Sequence, residues 1–234
     1  MELFKERLRS ILRVAGPANG VAQPAVSGGV LRRNPAQSSK PMLSSRPSRG
    51  LEQFFSAFRD QAGLTILDLG GANQENINFI TNLGHRFYSE DFLRIFQDAF
   101  GGDVTDQSNP GRIDYFLREC LDYPDEQFDG VLAWDVLEYM EPPLLAATAA
   151  HLRRVLKNKG YLLAFFQSAE RQTTVPCYTF RIQDVRTLQV CQQGERAASH
   201  QLFNNRSLEK LFHDFESVKF FLTRERLREV IARK

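Results

Sequence analysis

Two near-continuous apolar runs, Phe128–Trp134 (FDGVLAW) and Tyr161–Phe166 (YLLAFF), constrain the fold of this chain more than any other feature. Runs of this kind are typical of strands that are buried on both faces of a sheet. A helical pattern over Pro142–Leu156 separates them, and the alternation begins earlier, with a strand at Leu64–Leu69 and a helix at Gln74–Leu83. Because strands alternate with helices, the sequence predicts an α/β fold in which helices cover both faces of a mostly parallel sheet.

Shorter patterns extend this organisation along the chain. They predict a helix around Phe54, Phe55 and Phe58, a strand at Arg86–Ser89, a helix at Phe92–Phe100, a hairpin of Tyr178–Ile182 and Thr187–Val190, a helix at Ser207–Phe215, a strand at Val218–Leu222 and a final basic helix at Glu225–Arg233. Residues 111–123 fit a helix or a strand equally well. The late hairpin and strand indicate an antiparallel element on the otherwise parallel sheet.

The first fifty residues differ in composition from the rest. Residues 1–50 carry nine Lys or Arg and two Glu, whereas residues 51–234 carry 21 basic and 26 acidic residues. Met1–Val14 can form a short amphipathic helix, but residues 15–50 hold few large apolar side chains to offset the entropy of ordering. We therefore predict a basic, largely disordered tail over 1–50 and a folded domain over 51–234. The tail could bind an anionic surface or a protein partner, or simply stay solvated.

Composition also narrows the compartment and the partners. An acidic domain argues against nucleic acid as its main partner, because binding to phosphates is driven by Lys and Arg. No apolar run is long enough to span a membrane. The three cysteines, Cys120, Cys177 and Cys191, form no C-x-x-C pair and are expected to be reduced thiols. These features favour a cytoplasmic location.

The stretch LTILDLGGANQE places two glycines just after a strand and its closing acid. Gly70 and Gly71 allow a positive φ and let a ligand approach the backbone without a Cβ in the way. Asp68 can orient the amides of this turn. Glu90 and Asp91 follow Gly71 by 19 and 20 positions, at the end of the second strand, where an acid commonly binds ribose hydroxyls. The turn is therefore predicted to bind a nucleoside.

Four runs in order resemble the motifs of the class I S-adenosylmethionine-dependent methyltransferases. ILDLGGANQ is similar to the D-x-G-x-G-x-G motif, with Ala72 and Gln74 in place of the later glycines, and SED matches the acid after the second strand. The runs LDYPDEQFDGVLAWDVLEYMEPP and HLRRVLKNKGYLLAFF resemble the family's segments around its fourth and fifth strands. Tyr139 stands where the family often has histidine. The resemblance covers about residues 65–167.

The resemblance implies a Rossmann-like, doubly wound sheet of seven strands with a late antiparallel strand, and S-adenosylmethionine as the cofactor. The residues predicted to bind the cofactor are Asp68, Gly70, Gly71, Ala72, Glu90, Asp91 and Trp134. The candidate catalytic residues, which follow the fourth strand, are Asp135, Glu138 and Tyr139. Three of these residues have an alternative interpretation: Trp134 could pack in the core, Asp135 could cap the next turn, and Glu138 could be solvated.

We expect a methyltransferase that acts on a small-molecule or lipid-like acceptor, with the irregular segment from Ser168 onward shaping the acceptor pocket. One alternative is a methyltransferase-like domain that no longer catalyses and serves as a binding or scaffold module, because the later glycines and the usual histidine are replaced. A nicotinamide-dependent oxidoreductase is more remote, because the G-x-G-x-x-G pattern is absent.

Overall fold

The computed structural model describes residues 43–101, 106–168, 174–197, 201, 203–223 and 227–234. Its helices are α1 (Arg49–Ser56), α2 (Gln74–Asn82), α3 (Phe92–Phe100), α4 (Pro110–Leu121), α5 (Pro142–Val155) and α6 (Asn205–Leu211), with a 3-10 helix at Val136–Tyr139. Its strands are β1 (Leu43–Pro47), β2 (Thr65–Asp68), β3 (Arg86–Ser89), β4 (Phe128–Trp134), β5 (Leu156–Gln167), β6 (Thr174–Asp184), β7 (Thr187–Ala197), β8 (Ser217–Leu222) and β9 (Leu227–Arg233).

The central sheet has the strand order β3-β2-β4-β5-β9-β8. Strands β3, β2, β4 and β5 run parallel to one another, whereas β9 is antiparallel to both β5 and β8. This confirms the predicted mostly parallel sheet with a late antiparallel strand. The described residues contribute six strands to this sheet, and the predicted count of seven is not reached within them.

Alternate residues of the central strands enter two separate cores on opposite faces of the sheet. Val131 and Ala133 of β4 pack in a core with α3, α4 and α5, while Leu132 and Trp134 pack in a core with α1 and the β6–β7 hairpin. The same alternation holds along β5 and β9. Burial on both faces explains why these strands read as continuous apolar runs rather than as alternating patterns.

A second, three-stranded antiparallel sheet has the order β1-β7-β6. Phe180 and Ile182 of β6 and Leu188 and Val190 of β7 belong to the core on the α1 face. The sequence predicts a shorter hairpin here, of Tyr178–Ile182 and Thr187–Val190. In the structure each strand has eleven residues, so the hairpin is long enough to reach the carboxyl ends of β4 and β5.

Residues 43–50, which the sequence analysis assigned to the tail, are part of this fold. Leu43–Pro47 pair with β7, and the Ser48 side chain accepts a hydrogen bond of 3.1 Å from Leu51 N at the start of α1. This stretch has few large apolar residues, so its composition does not predict that it is folded. It is ordered by strand pairing and by a helix cap rather than by a core of its own. The predicted helix Met1–Val14 and the rest of the tail lie outside the described residues.

The predicted final helix at Glu225–Arg233 is wrong, because Leu227–Arg233 form strand β9 between β5 and β8. Glu229, Val230, Ile231 and Ala232 are consecutive and all buried, which suits a central strand and not a surface helix. The ambiguous residues 111–123 fall largely in helix α4, which begins after Asn109. The Asn109 side chain caps this helix by accepting hydrogen bonds from Gly111 N and Arg112 N.

Two further findings bear on the expectations from composition. None of the described helices is long and apolar enough to cross a membrane. Cys120, Cys177 and Cys191 form no disulfide bond among the described residues.

The packing at Gly130 gives a test of the fold. A Cβ at this position would lie 2.5 Å from Phe54 Cζ and 3.0 Å from Ile66 Cδ1. We expect Gly130→Ala to lower the free energy of unfolding by about 1–3 kcal/mol, because neighbouring side chains must leave their packed positions. Chemical denaturation measures this change.

Gly194→Ala is the matched control, since a Cβ there meets no atom within 4 Å. Its free energy of unfolding should stay within about 0.5 kcal/mol of the parent protein. Equal stability of the two variants would contradict the packing described around Gly130.

Candidate active site

Asp68, the last residue of β2, joins four elements through one buried carboxylate. Its Oδ1 accepts from Gly70 N at 2.8 Å and from Trp134 Nε1 at 2.6 Å, and its Oδ2 accepts from Asn76 Nδ2 at 2.9 Å. Burial raises the pKa of Asp68 to about 6, and these three hydrogen bonds oppose the rise. Asp68 therefore fixes the glycine turn against α2 and the end of β4.

The glycine turn is open on its Gly71 side. Gly71 has φ +80° and its N–H donates to Glu90 O at 3.1 Å. A Cβ at Gly71 would meet nothing nearer than the Asp91 carboxyl carbon, at 3.7 Å. An L side chain rarely adopts this φ, so glycine is required by the backbone and leaves the main chain accessible.

The two acids predicted to bind ribose lie beside this turn. Gly70 and Asp91 form an isolated antiparallel bridge, which places the end of β3 next to the turn. The half-buried Glu90 carboxylate accepts a hydrogen bond from the Tyr123 hydroxyl. Asp91 is exposed and caps α3 by accepting from Arg94 N at 3.2 Å. The exposed Ala72 follows Gly71 in the turn.

Trp134 covers the other side of the turn. A Cβ at Gly70 would lie 2.8 Å from Trp134 Cδ1, and the indole stacks on the Phe180 ring with centroids 5.4 Å apart and an angle of 8°. Trp134 has φ +49° and is almost completely buried. The indole thus packs in the core and supports the turn, whereas the Gly71 side, with an open backbone and two carboxylates, fits an adenosyl group.

The three candidate catalytic residues lie together after β4. Glu138 is 3% exposed, so the reading of Glu138 as a solvated side chain is wrong. Its Oε1 accepts from Gln167 N and its Oε2 accepts from Arg196 at 3.0 Å. The carboxylate is thereby bound at both oxygens between β5 and β7.

Asp135 is equally buried but less fully bound. It begins the 3-10 helix without making a side-chain cap, so the capping role is also wrong. The Tyr178 backbone N–H donates to its carboxylate. Asp135 Oδ2 has no hydrogen-bond partner among the residues that the structure describes.

Burial shifts the pKa of all three candidates upward. The pKa of Asp135 rises to about 6 and that of Glu138 to about 8, each opposed most by the positive charge of Arg196. The pKa of Tyr139 rises well above its usual value, because the hydroxyl is buried and Asp135 is near. Two acids that share one site with one guanidinium are not both ionised at neutral pH.

Arg196 is a residue that the sequence analysis missed. Its guanidinium carbon lies 4.1 Å from the centroid of the Tyr139 ring, and its side chain is 16% exposed. Arg196 is 58 positions from Glu138 and sits in a polar stretch of β7, where no spacing marks it. The expectation that the chain beyond Ser168 shapes the acceptor pocket stays a prediction, and it named no residue of β7.

The hydrogen bond between Asp68 and Trp134 provides a pH-dependent signal. Trp134 is the only tryptophan in the sequence, so its fluorescence reports this site alone. As the pH rises through about 6, Asp68 loses its proton and the charge at the indole N–H changes. We expect the emission of Trp134 to titrate there.

Asp68→Asn should abolish this transition, whereas Asp135→Asn should leave it, although Asp135 has a similar pKa. The two variants distinguish Asp68, which accepts a hydrogen bond from the indole, from Asp135, which follows Trp134 in the sequence. A transition that survives in Asp68→Asn would contradict the assignment.

Comparison with solved structures finds similar folds at low identity. A 1,6-didemethyltoxoflavin-N1-methyltransferase from Burkholderia thailandensis, with bound S-adenosylhomocysteine, is 13% identical, with 80% of this chain and 77% of that chain covered and a TM-score of 0.44. An S-adenosylmethionine-dependent methyltransferase from Archaeoglobus fulgidus is 14% identical (79% and 91% covered, TM-score 0.47), and one from Aquifex aeolicus is 13% identical (78% and 88%, TM-score 0.41).

At these scores the solved structures show only what the chain resembles. No curated protein matches the sequence significantly. The family comparison is more decisive: residues 42–216, well over half of the chain, match the model of the methyltransferase domain. The chain therefore belongs to this methyltransferase family, and it is a class I enzyme with S-adenosylmethionine as its cofactor.

Proposed function

We propose that this enzyme methylates a small polar acceptor that binds beneath the β6–β7 hairpin, against Asp135, Glu138 and Tyr139. The observation that carries the proposal is the buried group formed by these residues with Arg196 at the carboxyl end of β4. In parallel α/β sheets, ligands bind beyond the carboxyl ends of the strands. This group and the glycine turn lie at that end of the same sheet.

The residues around the turn have separate roles toward the cofactor. Gly71 and Ala72 present main-chain atoms to the adenosyl group, and Glu90 or Asp91 accepts hydrogen bonds from the ribose. Asp68 and Trp134 hold the turn in place through the bond between Trp134 Nε1 and Asp68 Oδ1. When bound, S-adenosylmethionine supplies an activated methyl group, so the protein mainly has to align the acceptor.

The nature of the lining favours a polar acceptor over a lipid chain. Carboxylates, a guanidinium, a phenol and the Gln167 amide border the site, and such groups recognise hydrogen-bonding ligands. A lipid chain could not donate to Asp135 Oδ2, which has no hydrogen-bond partner among the described residues, and this oxygen would stay unpaired at a cost of about 1–3 kcal/mol. A lipid-like acceptor could place only its head group here.

A catalytically inactive domain is the alternative that the sequence leaves open. Membership of the methyltransferase family does not favour that alternative. The replacement of the later glycines is accommodated by the Asp68 hydrogen bonds, which hold the shortened glycine motif in a defined turn.

Glu90→Gln tests the binding part of the proposal. We expect this variant to bind S-adenosylmethionine about 10- to 100-fold more weakly, because a charged acceptor of ribose hydrogen bonds is lost. Isothermal titration calorimetry measures the change. Asp98→Asn is the control, since Asp98 is exposed and pairs with Arg94 on α3.

Incubation with methyl-labelled S-adenosylmethionine and sets of candidate acceptors tests the reaction. A labelled small polar product would support the proposal. A labelled lipid would contradict the proposed acceptor class and indicate a lipid acceptor instead. Failure of the parent protein to bind the cofactor at millimolar concentration would refute the proposed function.

A further inference from the structure

We propose that Asp135 is the catalytic base, that Arg196 and Glu138 position it, and that the acceptor atom therefore carries an N–H or O–H proton. The inference rests on the proposed function and deepens it. It distinguishes among three residues that the sequence could only name together, and it gives a role to Arg196 on β7.

Glu138 and Tyr139 are both engaged elsewhere. Gln167 N and Arg196 donate to the two oxygens of Glu138, so neither oxygen is left for an acceptor. The ring of Tyr139 lies under the Arg196 guanidinium, and its hydroxyl hydrogen-bonds to Cys177. These residues are suited to holding the site rather than to receiving a proton.

Asp135 has a carboxylate oxygen that can still accept a proton, as a catalytic base requires. One part of its carboxylate is bound by the Tyr178 backbone N–H, and Oδ2 is buried without a partner among the described residues. A buried carboxylate oxygen without a donor costs about 1–3 kcal/mol or more. A ligand N–H or O–H would recover this cost, whereas a thioether or a tertiary amine has no proton to donate.

The electrostatic surroundings suit proton transfer near neutral pH. The pKa of Asp135 is about 6, because burial raises it while Arg196 from β7 and Arg46 from β1 lower it. Glu138, Tyr139 and Cys177 are the other titratable groups in the cluster. Asp135 is thus mostly ionised at neutral pH yet close enough in pKa to accept a proton efficiently.

The reaction balances with this assignment. The lone pair of the acceptor nitrogen or oxygen forms the new bond to the methyl carbon, and the methyl–sulfur bond breaks with its electron pair left on sulfur. The acceptor proton passes to Asp135 Oδ2, so a sulfonium cation and a carboxylate anion become a neutral thioether and a neutral carboxylic acid. The proton then leaves to solvent.

Arg196 acts as a positioning residue in this scheme. Its bond to Glu138 Oε2 and its position over Tyr139 fix the 3-10 helix that carries Asp135. Its charge also favours the ionised form of Asp135. Loss of the charge should therefore raise the pKa of Asp135, an effect that a merely structural role would not produce.

The test combines titration, binding and turnover in the full-length protein. The carboxyl carbon of Asp135 is followed by ¹³C NMR from about pH 4 to about pH 9, with Asp135→Asn for assignment. We expect a pKa near 6 in the parent protein and a higher value in Arg196→Gln. Arg181→Gln on the same hairpin is the control and should leave it unchanged, since Arg181 pairs with Glu75 at the surface.

Asp135→Asn should bind S-adenosylmethionine within about twofold of the parent protein and lose about 10²- to 10⁴-fold in turnover of an acceptor set containing N–H and O–H compounds. A normal Asp135 pKa near 4, a turnover within about twofold of the parent, or a product methylated at a thioether or tertiary amine would each overturn the inference. If no compound in the set is turned over, the pKa of Asp135 in the parent protein and its change in Arg196→Gln decide whether the inference holds. Loss of cofactor binding in the parent would instead refute the proposed function, so the two failures are distinguishable.

Discussion

The glycine turn depends on the hydrogen bonds that the buried carboxylate of Asp68 accepts. Its three donors come from the turn itself, from α2 and from the end of β4. A buried acid with well-placed donors specifies a conformation because a donor without its acceptor is costly in the interior. This explains how a motif with only two glycines can still form a defined turn: the network supplies the restraint, and Gly71 supplies the backbone freedom where φ is positive.

The antiparallel sheet β1-β7-β6 supplies positive charges to the acids that follow β4 in the central sheet. Arg196 comes from β7 and reaches Glu138, while Arg46 comes from β1 and lowers the pKa of Asp135. Buried acids without such cations would be held neutral by desolvation. The accessory sheet is therefore an electrostatic part of the proposed active site as well as part of its cover.

The parallel half of the fold could be predicted closely from the sequence. Strands β3 and β4 and helix α3 have the predicted bounds, because apolar runs and turn residues mark them locally. Strand β9 could not be predicted, since it is stabilised by pairing with β5 and β8. In the sequence, its arginines are also typical of the end of a basic helix. The pairing of Arg196 with Glu138 is invisible for the same reason: the contact joins distant elements and leaves no periodic signal. Of the site, the sequence located the turn, the two acids beside it and the acids after β4, but it could not say that Trp134 would pack on Gly70.

Two contacts connect the β6–β7 hairpin to residues that hold the glycine turn: the stacking of Phe180 on Trp134, and the hydrogen bond of 2.7 Å from Ile182 N to Asn76 Oδ1. Asn76 and Trp134 are also donors to Asp68. A displacement of β6 would therefore disturb the groups that hold the glycine turn. If the proposed acceptor displaces β6, its binding would change the affinity of the turn for the cofactor, and by thermodynamic reciprocity the two ligands would influence each other equally.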